Sequence, residues 1–135
     1  MDKKEVNEEE LKQRLTPEEY AVLRGGQTET PFSGKFVQKV SDGTYRCKVC
    51  NSPLFTTETQ EDADASPVGL QGWPSFNDAL PGAIKMRRDT SLGMERTELL
   101  CATCDSHLGH LFDDPGTQTG KHYCINSVCL NLEEK

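Results

Sequence analysis

Six cysteines and three histidines are the residues of this chain best suited to chemistry. Four of the cysteines form two C-x-x-C pairs, Cys47 with Cys50 and Cys101 with Cys104. Each pair can place two thiolates on one side of a tight turn, and two such turns supply the tetrahedral four-sulfur set that zinc prefers. Because four thiolates leave no open coordination position, we expect one structural zinc ion per chain that takes no part in catalysis.

Two other interpretations of these pairs stay open: thioredoxin-like redox motifs, or a coincidence of spacing. A thioredoxin motif needs a strand followed by a helix, and Asn-Ser-Pro at 51–53 is a poor start for a helix. The pattern instead predicts a strand that leads into each pair, over 44–46 and 94–100, as in zinc knuckles. This context favours metal binding over redox exchange.

A fifth cysteine, Cys124, lies beside an amide side chain in the run Tyr-Cys-Ile-Asn-Ser at 123–127. The mixture of apolar and polar residues from 123 to 132 predicts one strand. A free cysteine in a strand usually behaves as a small, inert hydrophobe. It becomes a nucleophile only where its surroundings favour the thiolate, because a thiol with a pKa of ~8.5 is little ionised at neutral pH.

The histidines, at positions 107, 110 and 122, could supply that activation. A histidine near a cysteine can stabilise the thiolate or carry a proton to a leaving oxygen. Asp113 or Asp114 could orient such a histidine. The spacing predicts that His107 and His110 point to opposite faces of a strand, one toward the core and one toward a pocket. A second metal site, built from these two histidines and an aspartate, is the alternative.

The only tryptophan, Trp73, lies between Gly72 and Pro74. It could simply anchor a loop to the core. The flanking glycine and proline instead favour a fixed, irregular backbone that presents the ring at a set angle. An aromatic face held in this way can pack against a methyl group or a sulfur atom.

The rest of the pattern predicts short elements that must position these groups. Thr-Pro-Glu-Glu at 16–19 is a capping box with proline at the first helical position, and the glycines at 25–26 end that helix. Strands are predicted over 36–40 and 84–89. The acidic, turn-forming segment 58–71 indicates an exposed loop.

Composition limits the class of protein. At 135 residues with 34% hydrophobic residues, the chain suits one domain with a small core. We expect a charged N-terminal tail over 1–10 and a single domain over 11–135. The formal charge of −7 argues against a nucleic-acid partner, since phosphate contacts need clustered lysine and arginine. With no visible signal peptide or membrane span, we expect a cytoplasmic protein without a membrane partner.

Together the motifs resemble those of methionine-R-sulfoxide reductases of the B type, from about Leu11 to Leu132. Five motifs occur in the family's order: the two C-x-x-C pairs, Gly-Trp-Pro-Ser-Phe at 72–76, His-Leu-Gly-His-Leu-Phe at 107–112, and Tyr-Cys-Ile-Asn-Ser at 123–127. The resemblance implies a mainly β fold. It consists of two small antiparallel sheets, in a β-tent-like sandwich, with short N-terminal helices and a four-cysteine zinc site.

The resemblance also implies a function: repair of oxidised proteins by reduction of the R epimer of methionine sulfoxide. Cys124 would be the nucleophile that becomes a sulfenic acid, with His110 and Asn126 as the other catalytic residues. Trp73 would form the aromatic wall for the substrate's methyl group. The other implied substrate-binding residues are His107, Phe112, Asp114 and His122. The implied reductant is thioredoxin or a small thiol, and we expect a monomer.

Two positions depart from the family pattern. Many members have a resolving cysteine directly before the Gly-Trp pair, where this chain has Gln71. Cys129 is the only other thiol outside the paired set, but along one strand it would lie about 16 Å from Cys124 and on the other face. A disulfide needs Cα atoms roughly 4.4–6.8 Å apart. We therefore favour a one-cysteine cycle with an external reductant over a Cys124–Cys129 disulfide.

The second departure is His122, where the family usually has arginine. Arginine is always charged, whereas histidine titrates near ~6.5. His122 could be the cation that stabilises the thiolate, or a plain surface residue.

Two rival functions are weighed against this one. In a zinc-ribbon binding module, Cys124 would be packing and Trp73 an interaction anchor, but that interpretation gives no reason for the accompanying His110 and Asn126. A reductase of free methionine sulfoxide needs a pair of residues that binds the amine and the carboxylate, and no such pair is obvious. The sequence thus favours a protein-bound substrate.

Overall fold

The computed structural model describes residues 7–62, 71–90, 93 and 95–134. It begins with two short helices, α1 (Glu8–Arg14) and α2 (Pro17–Leu23). At the start of α2, Thr16 and Glu19 form the predicted capping box, each bonding the other's backbone N–H. α1 starts inside the segment 1–10 that was expected to be a charged tail, and residues 1–6 lie outside the described part. None of the helices described is long and apolar enough to cross a membrane.

The described residues contain nine short strands in two antiparallel sheets. The smaller sheet has the strand order β2-β1-β9, with β1 (Gly43–Cys47), β2 (Pro53–Thr56) and β9 (Leu130–Glu134). The larger sheet consists of β3 (Gln60–Glu61), β4 (Ser75–Phe76), β5 (Ile84–Asp89), β6 (Arg96–Cys101), β7 (His107–Asp113) and β8 (Lys121–Ile125). Its strand order is β3-β4-β8-β7-β6-β5. The predicted mainly β fold with two antiparallel sheets and N-terminal helices is confirmed.

Aromatic residues from both sheets form the centre of the core. Phe55 of the smaller sheet stacks on Phe76 of the larger one, with ring centroids 4.3 Å apart. Tyr45 meets Phe76 edge to face at 5.3 Å, and all three side chains are fully buried. Burying a side chain of this size stabilises a fold by roughly 1.5–3 kcal/mol, so this cluster holds the two sheets together.

The predicted strand over 36–40 is wrong. These residues form turns and bends, and the exposed Val40 contrasts with the buried Phe36. The backbone N–H of Phe36 donates to the side chain of Ser127 rather than to a neighbouring strand. A tertiary contact therefore decides the local conformation here.

The prediction of one strand from 123 to 132 is also wrong. β8 ends at Ile125, a 3₁₀ turn follows over Ser127–Cys129, and β9 begins at Leu130 in the other sheet. The break occurs because Asn126 bonds outside the strand, with its backbone N–H and its side-chain amide both donating to the carbonyl of Leu108. The 16 Å separation expected for Cys129 rested on a continuous strand and no longer applies.

Candidate active site and metal centre

The four paired cysteines converge on one buried cluster. Their sulfur atoms all lie within 4.8 Å of one another. The Sγ atoms of Cys47 and Cys104 are 3.7 Å apart, and those of Cys50 and Cys101 are 3.6 Å apart. A disulfide would bring two sulfurs to about 2.05 Å, whereas a tetrahedral site with Zn–S bonds of about 2.3 Å separates them by about 3.8 Å. The cluster therefore fits a four-thiolate set that could hold a metal ion.

The two C-x-x-C turns have the same backbone structure. In the first, the N–H of Cys47 donates to the carbonyl of Ser52 at 2.9 Å, and Asn51 donates to the carbonyl of Cys47 at 2.8 Å. The second repeats both bonds at the same spacing and distances. Asn51 has φ 66° and its counterpart Asp105 has φ 60°, a left-handed conformation that short polar residues tolerate. This repetition presents two pairs of sulfurs to one point.

The N-terminal helices are tied to these turns by arginines. Arg14 at the end of α1 donates to the carbonyls of Lys48 and Val49, both at 3.0 Å. Arg24, just after α2, donates to the carbonyl of Cys104 at 3.1 Å. The helices thus stabilise the outer side of the cysteine cluster.

Cys124 lies in a different place, near the middle of the larger sheet. On β8 it is directly opposite Ser75 of β4 and His110 of β7. The same row continues through Glu98 of β6 to Arg87 of β5. Directly opposite residues of antiparallel strands share a face, so side chains distant in sequence lie side by side around Cys124. By the same alternation, His122, Phe112, Arg96 and Asp89 lie on this face two residues farther along their strands.

His107 and His110 point to the same face, so the prediction of opposite faces is wrong. The pairing of β6 with β7 shifts between Leu99 and Leu100, and Leu108 is the extra residue of a β-bulge. The bulge reverses the alternation of side chains, and the two histidine rings lie 5.5 Å apart at an angle of 65°. Both histidines of the motif are thereby available to one site.

Each of these histidines is bonded to a carboxylate that the sequence analysis did not single out. The Nδ1 atom of His107 lies 2.7 Å from Glu98 Oε2, and the Nε2 atom of His110 lies 2.8 Å from Asp89 Oδ2. Of the two aspartates expected to orient a histidine, Asp114 lies beside His122, whereas Asp113 is exposed and pairs with Lys121. Asp89 and Glu98 are brought to the histidines by the β5-β6 hairpin, and no motif in the sequence signals this.

An arginine supports each carboxylate. Arg87 donates through Nε to Glu98 at 2.9 Å, and Arg96 lies 3.3 Å from Asp89. Two parallel series of arginine, carboxylate and histidine therefore cross the face that carries Cys124. Burial lowers the pKa of His107, although the bonded Glu98 acts in the opposite direction.

His122 is 1% exposed, so its interpretation as a plain surface residue is wrong. Its Nδ1 atom lies 3.7 Å from the carboxylate of Asp114, and its ring centroid is 6.4 Å from that of Phe112. Burial lowers the pKa of His122, with Asp114 opposing the shift. The ring is therefore mostly neutral at neutral pH and a weak source of positive charge.

Cys124 itself is only partly exposed. Burial raises the pKa of its thiol to about 12, and the carboxylate of Glu29 contributes to the rise. The resting residue is therefore a thiol rather than a thiolate. Reaction requires an acceptor for its proton.

Trp73 and Asn126 meet at one loop residue, Glu29. The indole N–H of Trp73 donates to the backbone carbonyl of Glu29 at 3.1 Å. The backbone N–H of Glu29 donates to Asn126 Oδ1 at 3.0 Å. Trp73 is half-buried. Sequence reasoning missed Glu29, because a single acidic residue in a turn-like segment carries no recognisable signal.

A partly exposed cysteine among histidines, apart from a four-cysteine cluster, is the arrangement expected of a thiol-dependent oxidoreductase with a structural metal. Comparison with known proteins agrees. The family model described as the SelR domain matches residues 15–134. The peptide methionine sulfoxide reductase MsrB of Pseudomonas savastanoi pv. phaseolicola is 49% identical over 133 residues, 98% of this chain and 97% of the relative.

Two other organisms have similar proteins of the same name. Those of Methanosarcina barkeri and Thioalkalivibrio sulfidiphilus are 45% and 44% identical over 130 residues, which is 96% of this chain in both cases. They are covered over 87% and 90% of their own lengths. The chain therefore belongs to the SelR family of peptide methionine sulfoxide reductases, of the MsrB type.

Proposed function

We propose that this chain reduces the R epimer of methionine sulfoxide, mainly in oxidised proteins, by attack of Cys124 on the sulfoxide sulfur. The observation that carries the proposal is the register of the larger sheet, which sets Cys124 directly opposite His110 on one face. His107, Phe112 and His122 lie on that face as well. The family membership supports the same reaction.

The protons and electrons of this step balance without a further reactant. Cys124 loses its proton, its sulfur attacks the sulfoxide sulfur, and the oxygen passes to the cysteine as the sulfur–oxygen bond of the substrate breaks. Methionine leaves, and Cys124 becomes a sulfenic acid. The cysteine sulfur is oxidised by two electrons and the substrate sulfur is reduced by two. The thiol proton ends on the transferred oxygen.

We assign the movement of that proton to His110. Its imidazole can accept the proton as Cys124 attacks and then donate it to the sulfoxide oxygen. Asp89 bonds the Nε2 atom of the ring at 2.8 Å, which fixes the orientation of the imidazole and leaves Nδ1 for the transfer. Asp89 is thus a positioning residue. The resting thiol, with a pKa of about 12, depends on such an acceptor.

The remaining residues form the substrate pocket. Trp73 offers its half-buried ring to the substrate's methyl group, because a methyl and an aromatic face pack favourably. His107 has a buried Nε2 atom without a partner among the described residues, and this atom can bond the sulfoxide oxygen directly or through water. Asn126, which we propose as a catalytic residue together with Cys124 and His110, belongs to the hydrogen-bonding set around the sulfoxide. The other substrate-binding residues of the proposal are Phe112, Asp114 and His122.

We propose regeneration by an external thiol, either thioredoxin or a small thiol. Gln71 offers no sulfur, and Cys129 is fully buried, with its thiol donating to the carbonyl of His107 at 3.3 Å. A Cys124–Cys129 disulfide would need the 3₁₀ turn between them to rearrange. Intact-mass measurement after one equivalent of substrate separates the two routes. A loss of two hydrogens that Cys129→Ser abolishes would refute the one-cysteine cycle.

The four-cysteine cluster would hold a structural zinc ion, which contributes to folding and leaves no open position for substrate. All six cysteines are free, which suits a reducing compartment such as the cytoplasm. We propose a monomer with a single domain over 11–135.

The decisive experiment follows racemic methionine sulfoxide in a peptide, with dithiothreitol as reductant, by chiral chromatography. Wild type should consume only the R epimer, and Cys124→Ser should consume neither. If folded, metal-loaded wild type consumed neither epimer, the result would contradict the proposal and favour the zinc-ribbon binding module. Equal turnover of free and peptide-bound sulfoxide would instead favour a reductase of the free amino acid.

A further inference from the structure

We infer that Glu29 is a positioning residue of the substrate pocket, which holds Trp73 and Asn126 in the orientation in which they meet the substrate. The inference rests on the proposed function, because the pocket concerned is the one assigned to methionine sulfoxide. Glu29 lies in none of the motifs identified from the sequence. Its role is visible only in its contacts.

The backbone of Glu29 joins two side chains that are far away in sequence. Its carbonyl accepts from Trp73, 44 residues away, and its N–H donates to Asn126, 97 residues away. In the sequence, Trp73 precedes the strand that carries Cys124, and Asn126 directly follows it. A shift of the backbone at residue 29 would therefore move both groups at once.

The side chain of Glu29 holds that backbone in place. Its Oε1 atom accepts from the backbone N–H of Val128 at 3.0 Å, in the 3₁₀ turn that follows Asn126. The residue is only 2% exposed. A buried carboxyl is unfavourable unless it is hydrogen-bonded, so this bond to the turn is what makes the position tolerable. Burial raises the pKa of Glu29, and its bonds to the turn oppose the rise.

The surroundings leave the carboxyl little freedom. A Cβ atom added to Gly34 would lie 2.6 Å from Glu29 Oε2 and would also collide with the hydroxyl of Ser127. Oε2 is buried without a hydrogen-bond partner among the described residues. The carboxyl is thus enclosed between its own loop and the 3₁₀ turn. The carboxyl thereby connects the loop that contains residue 29 to the 3₁₀ turn that directly follows Asn126.

A glutamate that only stabilised the fold would leave the pocket unchanged in a variant that still folds. The test therefore uses two readouts, KM for a peptide containing methionine-R-sulfoxide and the fluorescence emission of Trp73. Trp73 is the chain's only tryptophan, so its emission is unambiguous. Glu9→Ala is the matched control, since Glu9 has a side chain that is 84% exposed.

Glu29→Ala is expected to raise KM about tenfold, the loss of one net hydrogen bond, with kcat within about twofold of wild type. The emission of Trp73 should shift to the red as its N–H bond loosens. Glu29→Gln keeps an oxygen acceptor for Val128 and is expected to restore most of the difference in both readouts. Glu9→Ala should change neither.

Folded Glu29→Ala with the KM and emission of wild type would overturn the inference. A fall in kcat with unchanged KM and emission would overturn it too, because that would assign Glu29 to the chemical step. Where Glu29→Ala does not fold, Glu29→Asp replaces it, since the shorter side chain retracts from Val128, with the same outcomes expected. The emission is measured without substrate, so failure of the proposed function would leave this test of the inference intact.

Discussion

The four-cysteine cluster and the face around Cys124 are both built on cysteine, but they are assembled in opposite ways. Each half of the cluster is a short local turn, and the second turn repeats the backbone bonds of the first. The face around Cys124 takes its residues from β4, β5, β6, β7 and β8, which are aligned only by sheet register. Each pair of metal ligands can thus be encoded locally, so that the fold need only bring two turns together, whereas a site that controls one thiol needs partners from the whole sheet.

The two regions also differ in how their surroundings affect the protonation of the thiol. In the cluster, sulfurs lie 3.6–3.7 Å from one another, a distance suited to shared coordination of a cation. Around Cys124, burial raises the pKa of the thiol to about 12, and histidines bonded to carboxylates surround it. The first arrangement favours permanent deprotonation by a metal. The second keeps the proton until it can be transferred.

The largest effect is expected from a variant that disrupts the four-cysteine cluster. Cys101→Ser should lose the metal and most of the stability, since structural zinc contributes about 10–16 kcal/mol in small zinc peptides and a domain is stable by only about 5–15 kcal/mol. We expect a fall in Tm of more than about 15 °C or no folding. Metal content by mass spectrometry and thermal unfolding measure this.

The matched control for this variant is Cys129→Ser, another buried cysteine outside the cluster. It should keep a full equivalent of metal and lose little stability, because serine can still donate to the carbonyl of His107. Equal metal loss in both variants would show that the cluster does not depend on its four thiols.

Asp89→Asn tests the second region, the face around Cys124. Asparagine lacks the carboxylate that holds the His110 ring at 2.8 Å, so we expect kcat for methionine sulfoxide to fall about 100-fold, the usual range for losing acid–base catalysis. Asp113→Asn is the control, since the side chain of Asp113 is 91% exposed. A full rate in Asp89→Asn would remove Asp89 from the mechanism.

His122→Arg introduces a permanent cation on the face that carries Cys124. A nearby positive charge favours the thiolate, so the pKa of Cys124 should fall from about 12 by roughly one to three units. The pH dependence of iodoacetamide alkylation reports this pKa. Lys121→Arg, at an exposed position of the same strand, should leave it unchanged. An unaltered pKa in folded His122→Arg would show that this position does not control the thiol.

The smallest expected effect is the change in the free energy of unfolding with pH. Burial lowers the pKa of His107 and of His122 below the unfolded value of ~6.5, so the unfolded chain binds more protons than the folded one in this range. Their contribution to stability is therefore present above the unfolded pKa and is lost as the pH falls through the lowered folded pKa values. Urea unfolding of metal-loaded protein at pH 7.5 and 5.5 measures the loss. His122→Gln should show a smaller one.

Several features could be predicted because they depend on neighbours in the chain. The capping box at 16–19 and the strand over 84–89 are both present, since a helix cap and a short strand each depend on a few neighbouring residues. The C-x-x-C spacing predicted the two turns of the cysteine cluster for the same reason. The broken strand after Ile125 could not be predicted, because the bonds that end it run to Leu108 and Glu29.

The sequence by itself determined the local turns, the pairs of sulfurs and the motif that contains Cys124. Only the tertiary structure decided which residues serve that cysteine. The bulge at Leu108 turned both histidines to one face, the β5-β6 hairpin supplied Asp89 and Glu98, and a loop carried Glu29 to Trp73 and Asn126. The physical reason is range: spacing in the chain controls geometry over one turn, whereas strand register and loop docking select partners dozens of residues apart.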